Sequence, residues 1–345
     1  MKRTILYVIV LLALLGLTYH FAGQESKGGS SIDTSDREFA IKDTDQIGKI
    51  FIANRNDEPV LLNRRGSDWY VNDRYLASKT SMEELMRIIR DLEVRFIPPR
   101  ASYTNIVQTI ASLGIKVEIY DTRDNLMKSY YIGGVTNDEK GTHFLMEGSE
   151  QPYVMHIPYW SGSLRARFDL RADHFRDRAI FNERIRDIEK IEVEYPFQQD
   201  ESFVIEREGE TSWDIRPLDP DMPRITRTRH PGLVESYLRN YRRVGVEGFE
   251  NQHPQKDSIL SSDPFAKISL TRNNGDEVSY TLYQRFPELI PGPFAAAEFD
   301  ATEFQLRFYV HSAQRDDFML AQYFVLRDIL WGYSWFFRTT EDEFF

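Results

Sequence analysis

The sequence predicts an α+β protein: an N-terminal transmembrane helix followed by two tandem homologous modules of mixed strands and helices. Three observations predict it. The stretch Ile47 to Leu92 recurs as Ile188 to Tyr241, an apolar run follows Met1-Lys-Arg-Thr, and 345 residues suffice for two domains of ordinary size.

Taken in order, Ile5 to Phe21 is apolar, and as a helix it would span about 25 Å at ~1.5 Å per residue, slightly short of a ~30 Å hydrocarbon core. A cleaved signal peptide and an uncleaved anchor both fit a charged start and an apolar centre. The exit Thr18 to Gln24 lacks a small-x-small cleavage site, and Tyr19, His20 and Phe21 suit the outer interface, so the anchor is the expectation. Residues 1–23 then hold the lipid bilayer through 5–21, Lys2 and Arg3 stay in the cytoplasm, and the body lies in the periplasm as a single-pass inner-membrane protein. Residues 24–36, rich in Gly, Ser and charge, read as a flexible tether.

The first module spans 37–170. Ile47-Gly-Lys-Ile-Phe-Ile52 alternates as a half-buried strand does, and Val60 to Gly66 followed by Trp69-Tyr-Val71 reads as a hairpin with positive φ at the glycine. Thr80-Ser-Met-Glu83 reads as a capping box opening a helix whose stripe is Leu85, Ile88, Ile89 and Leu92. Ala101 to Leu113 reads as a second, shorter helix before strands around Val117, Ile119, Tyr130, Ile132 and Phe144 to Ile157.

Residues 171–186 form a charged connector, part of a stretch from Arg165 to Asp187 in which seven arginines alternate with acidic residues. An anion-binding patch competes there with an ion-paired solvated linker, and the mixed signs favour the linker. The second module, 187–345, repeats the pattern: Ile188 to Val193, Phe203 to Gly209, Trp213-Asp-Ile215, then a helix from His230-Pro231 with the stripe Val234, Tyr237, Leu238 and Tyr241. Ile268 and Leu270, then Tyr280 and Leu282, match the later strands, and Tyr309 to Gln322 aligns ungapped with Phe144 to Ile157. Phe286 to Glu303 has no counterpart and reads as an inserted loop.

Composition narrows function. Lys2, Arg3 and Lys27 against Glu25 give residues 1 to 30 a charge of +2, so the rest of a chain of net charge −11 carries −13, which argues against nucleic acid as a partner. Without cysteine, thiol catalysis, disulfides and thiolate metal sites are excluded. No nucleophile-elbow, zincin, P-loop or dinucleotide fingerprint occurs. His143 and His156 lie in one strand region, Asp121 with Asp124 and Asp219 with Asp221 sit in turns, and Trp69 and Trp213 recur at one position. Packing and turn chemistry explain these better than metal, acid–base or ligand chemistry. No catalytic, cofactor or metal residue is therefore assigned.

Gly66, Trp69, the Leu85 to Leu92 stripe, Gly141-Thr-His-Phe144, Tyr153 and the connector Phe175 to Phe181 resemble the bacterial domain-of-unknown-function family 4340, over most of the chain after the tether. The resemblance implies an N-terminal membrane segment and a non-enzymatic accessory or scaffold role at an inner-membrane assembly, since members are often encoded beside ABC-transporter components of the gliding-motility type. It carries over no catalytic residue. The alternatives are an envelope hydrolase using carboxylates and a periplasmic glycan- or peptide-binding module. The aromatic C-terminus, Trp331, Tyr333, Trp335, Phe336 and Phe337, reads either as a segment completing its own module or as a docking patch for membrane protein subunits.

Overall fold

The computed structural model describes residues 35–160, 162–168, 171–228, 232–285 and 306–338. The chain divides into two units that change over between Arg176 and Asp177.

In the first unit β1 (Ile47–Ala53), β2 (Val60–Arg65), β3 (Asp68–Val71) and β4 (Tyr75–Leu76) precede α1 (Lys79–Asp91). Then come β5 (Glu93–Phe96), α2 (Tyr103–Leu113), β6 (Ile115–Asp121), β7 (Leu126–Val135), β8 (Thr142–Met146), β9 (Tyr153–His156) and the short α3 (Ala172–Phe175). Nine strands pair in the order β4-β3-β2-β1-β6-β7-β8-β9-β5, and each pairing is antiparallel. The alternation read from the sequence puts Ile47, Ile50 and Ile52 on the inner face, where Met82, Leu85, Ile88, Ile89 and Leu92 of the α1 stripe cover them.

The second unit runs β10 (Ala179–Phe181), β11 (Ile188–Glu194), β12 (Phe203–Arg207), β13 (Trp213–Pro217), α4 (Leu233–Arg239), β14 (Val244–Gly245) and β15 (Gly248–Phe249). It ends with α5 (Lys256–Leu260), β16 (Ala266–Arg272), β17 (Glu277–Gln284), β18 (Arg307–Ser312), β19 (Asp317–Gln322) and α6 (Tyr323–Leu326). Its large sheet has the order β13-β12-β11-β16-β17-β18-β19-β15, the first sheet without β4, while β10 and β14 form a separate pair. Register agrees too. Ile50 lies between Leu62 and Ile119 as Ile191 lies between Ile205 and Leu270, and both central strands carry an irregularity after their first residue, at Ile47/Lys49 and Ile188/Lys190. A shared bulge at one position is a feature that common descent accounts for and chance pairing does not.

The α+β class with an N-terminal transmembrane helix is corrected on two points. The architecture is mostly antiparallel sheet, with helices laid on its faces. Among the described residues no helix is long and apolar enough to cross a membrane. The segment 5–21 lies outside the described residues, so the membrane anchor and the single-pass periplasmic placement have no support in the structure. The tether up to residue 34, His230-Pro231 and the whole of the inserted loop also lie outside them.

Local corrections have simple causes. α1 starts at Lys79, capped by the Ser78 hydroxyl accepting from the Ser81 amide, two residues before the Thr80 cap read from the sequence. Gly66 has φ +64° as a tight hairpin requires, whereas Gly209, in the turn longer by one residue, does not sit at positive φ. The charged connector is divided between the units. Phe175 is buried in the first core and Arg176 bridges Ala77 while its guanidinium stacks 3.6 Å from the Tyr75 ring, whereas Ile180 and Phe181 are buried in the second core.

Candidate functional site

Each sheet has an inner face under its stripe helix and an outer face. On the outer face of the first sheet, the period of two brings Lys116, Glu118 and Tyr120 of β6 beside Ser129 and Tyr131 of β7 and Glu147 after β8. The Lys116 ammonium lies 2.7 Å from Glu118 Oε1 and 3.0 Å from Glu147 Oε1. The Tyr120 hydroxyl donates to Glu118 at 2.7 Å, the Tyr131 hydroxyl to Glu147 at 3.2 Å, and the Ser129 hydroxyl also donates to Glu147.

The electrostatics follow from these contacts. Lys116 and then the Tyr120 hydroxyl hold the Glu118 carboxyl below its ordinary value, and Ser129 with Lys116 does the same for Glu147. The Tyr120 phenol is pushed up to about 12 by its bond to Glu118, and Lys116 is pushed up by Glu118 and Glu147 despite desolvation. Elsewhere Asp73, Asp91, Asp121 and Asp138 are lowered by Asn63, Arg90, Asn125 and Thr136 respectively. A carboxylate acid of a hydrolase needs the opposite displacement.

Beside this network a groove of about 420 Å³ runs under α2, lined by Val107, Ile110, Ala111, Lys116, Tyr131 and Leu145 among others. α2 touches the sheet through Ile110, its one buried residue, against Gly133, where an added Cβ would lie 2.7 Å from Ile110 Cγ1. At the equivalent place in the second unit, fixed by Ile132 and Leu282 facing Ile115 and Ala266, stands Tyr283. It packs with Tyr309 and Phe318 under the five-residue α5.

The residues singled out from sequence fall as follows. Tyr333, Phe336 and Phe337 are buried in their own module. The Phe336 ring lies 5.2 Å from Phe203 and from Tyr237, and Trp331 and Trp335 are half-buried beside it. Tyr195 and Tyr237 donate to the carbonyls of Trp331 and Ile329, and Ser334 to Glu201, so among the described residues this segment completes the second core, with Trp331 and Trp335 partly exposed at its edge. The Gly134 carbonyl lies 3.1 Å from His143 Nδ1, and His156 lies two positions beyond Val154, the strand partner of His143. Among the described residues no group of three or more His, Asp and Glu could hold a metal ion. Asp121 accepts the amides of Arg123 and Asn125, Asp124 takes the left-handed position that Gly275 takes in the other copy, and Asp219 accepts the Asp221 amide. Trp69 and Trp213 do occupy one position, opposite Arg64 and Arg207, but Trp213 is buried and Trp69 half-buried.

The chain matches no known family model, no curated protein and no solved structure. The resemblance to family 4340 therefore rests on the residues quoted for it. Sequence reasoning missed the Lys116 network, although its signal was present: Lys116, Glu118 and Tyr120 alternate along one strand and must share a face.

Proposed function

We propose that the chain is a non-enzymatic accessory or scaffold subunit of a transporter-type assembly that works by binding other subunits through its module surfaces. The observation that carries this reading is the divergence of the two outer faces over a common frame. The first copy has an ion-paired ladder beside a groove and the second a packed aromatic cluster, while strand order and register are kept. A duplicated frame whose exposed faces differ suits contact with two different surfaces. The lowered carboxylates around Lys116 fit a structural ladder better than acid–base work, and the family resemblance supplies the transporter context.

Affinity purification of the full chain in mild detergent, with companions identified by mass spectrometry, tests it. Transporter subunits that co-purify reproducibly, and that are lost when Lys116, Glu118 and Glu147 are replaced together by Ala, are expected. Recovery of the chain alone under every condition would overturn the reading.

A further inference from the structure

In the second module an open cleft of about 510 Å³ is lined by Glu183, Arg184, Ile185, Arg186, Arg239 and Arg242. Four guanidinium groups around one cleft are unexpected in a chain of net charge −11. Their acidic neighbour does not neutralise them: the Glu183 carboxylate is buried and held by Arg272 through two bonds, of 3.0 and 2.6 Å. Arg186 stands 3.6 Å from Asp187, while Arg184, Arg239 and Arg242 make no ion pair among the described residues.

The duplication offers a comparison within the chain. Counting back from the matched strands Ile47 and Ile188, Arg184 and Arg186 correspond to Asp43 and Asp45; counting along the matched stripes, Arg239 and Arg242 correspond to Arg90 and Glu93. The first copy has three anions and one cation where the second has four cations. In the first copy Asp43 also caps the turn before β1, accepting from the Asp45 amide, and in the second the corresponding turn has no side-chain cap. The copy with the arginine thus forgoes a stabilising cap that the other copy has. The end of α4 favours a cation at Arg239 and Arg242, which lets the charges gather without cancelling them.

We infer that this cleft binds a small multivalent oxyanion of the phosphate class. Arginine forks pair bidentately with such groups, and the volume lies within the roughly 300–1,000 Å³ of small-molecule sites. The inference does not depend on the scaffold reading above.

The test is titration calorimetry of the full chain with inorganic pyrophosphate, at low and at physiological salt. Binding is expected, weakened by about tenfold or more in Arg184→Gln/Arg239→Gln/Arg242→Gln. It should be unchanged in Arg87→Gln/Arg100→Gln/Arg123→Gln, which removes as much charge from exposed positions of the first module. The corresponding triple Lys variant should fall between, keeping charge and losing the fork. Vesicles containing phosphatidic acid separate two sources of the same group: capture that pyrophosphate reverses and the Gln variant lacks indicates a lipid headgroup, and pyrophosphate binding without such capture indicates a soluble ligand. Equal binding by the cleft and control variants, no binding at all, or capture of polyglutamate in place of pyrophosphate would overturn the proposal.

Discussion

The two modules share an inner face and differ on the outer one. Inside, Tyr130 and Tyr280 occupy one position under the edges of Phe39 and Phe181, with ring centroids 5.7 and 5.1 Å apart. Outside, Gly133 and Tyr283 occupy one position and lead to different packing: an eleven-residue helix lying directly on the sheet in one copy, a five-residue helix held off by aromatic rings in the other. Interior residues touch many neighbours and change at high cost, whereas a face covered by one short helix leaves room for variation. Function in such a pair is to be sought where the copies disagree.

The largest expected effect concerns what completes each core. The second module draws in its C-terminal segment, and Phe336 is fully buried there. Phe336→Ala should cost about 3 to 5 kcal/mol, as for other buried Phe deletions. Hydrogen exchange read by mass spectrometry should show protection lost from 188–322 and kept in 47–157. Equal loss in both modules would break the comparison, because it would mean that the two cores unfold as one.

How far the sequence could be read depended on whether alternation still marked a face. Strand order in the hairpins and the helix stripes were legible because one face of β1, β11, α1 and α4 is apolar and the other is not. The ungapped alignment of Phe144 with Tyr309 was one residue out. Ile132 faces Phe144 and Leu282 faces Val310, so Phe144 corresponds to Val310, His143 to Tyr309 and His156 to Gln322. A slip of one exchanges the faces, and it went unnoticed because Phe308, Tyr309 and Val310 are all buried, the aromatic cluster covering the outer face. The edge strands β5 and β15 were illegible for another reason: at four and two residues they carry no period. The arginine cleft joins residues more than fifty positions apart, which a linear reading of the connector could not gather.

A second test addresses the outer face. Gly133→Ala places a methyl group 2.7 Å from Ile110 Cγ1, so the Ile110 side chain and the helix that carries it are pushed off the strand, at a cost of about 1 to 3 kcal/mol by analogy with overpacked cores. Melting followed by exchange in 103–113 should show the helix loosening before the sheet. An unchanged helix would mean that its contact with the strand does not hold it.

The third sharpens the electrostatic difference. Glu118 and Glu147 lie below their ordinary value of 4.5 when folded, so their contribution is complete above that value and is lost as pH falls through the folded values. Lys116, raised above 10.5, contributes fully below that value and loses its part only as pH rises through its folded value. Both are therefore complete at neutral pH. Glu118→Gln/Glu147→Gln should flatten the acid limb of the first module's stability and leave the acid limb of the second unchanged, since Ser269 and Ala313 stand at those places there. An acid limb of unchanged slope would remove the ladder from the account.

The smallest effect bears on what the copies share. The hydroxyls of Tyr130 and Tyr280 are both buried without a hydrogen-bond partner among the described residues, and desolvation pushes both phenols up. A buried polar group left unpaired costs about 1 to 3 kcal/mol relative to one that is satisfied, yet both copies keep it. Removing the oxygen leaves the rings and their edge contacts in place, so Tyr130→Phe and Tyr280→Phe should each be neutral or stabilise by up to about 1 kcal/mol, the same in both modules. Denaturant melts of the two single variants measure this directly. A loss of stability in one copy alone would show that its hydroxyl has a partner, such as an ordered water, that the other lacks, and the inner faces would then differ as the outer ones do.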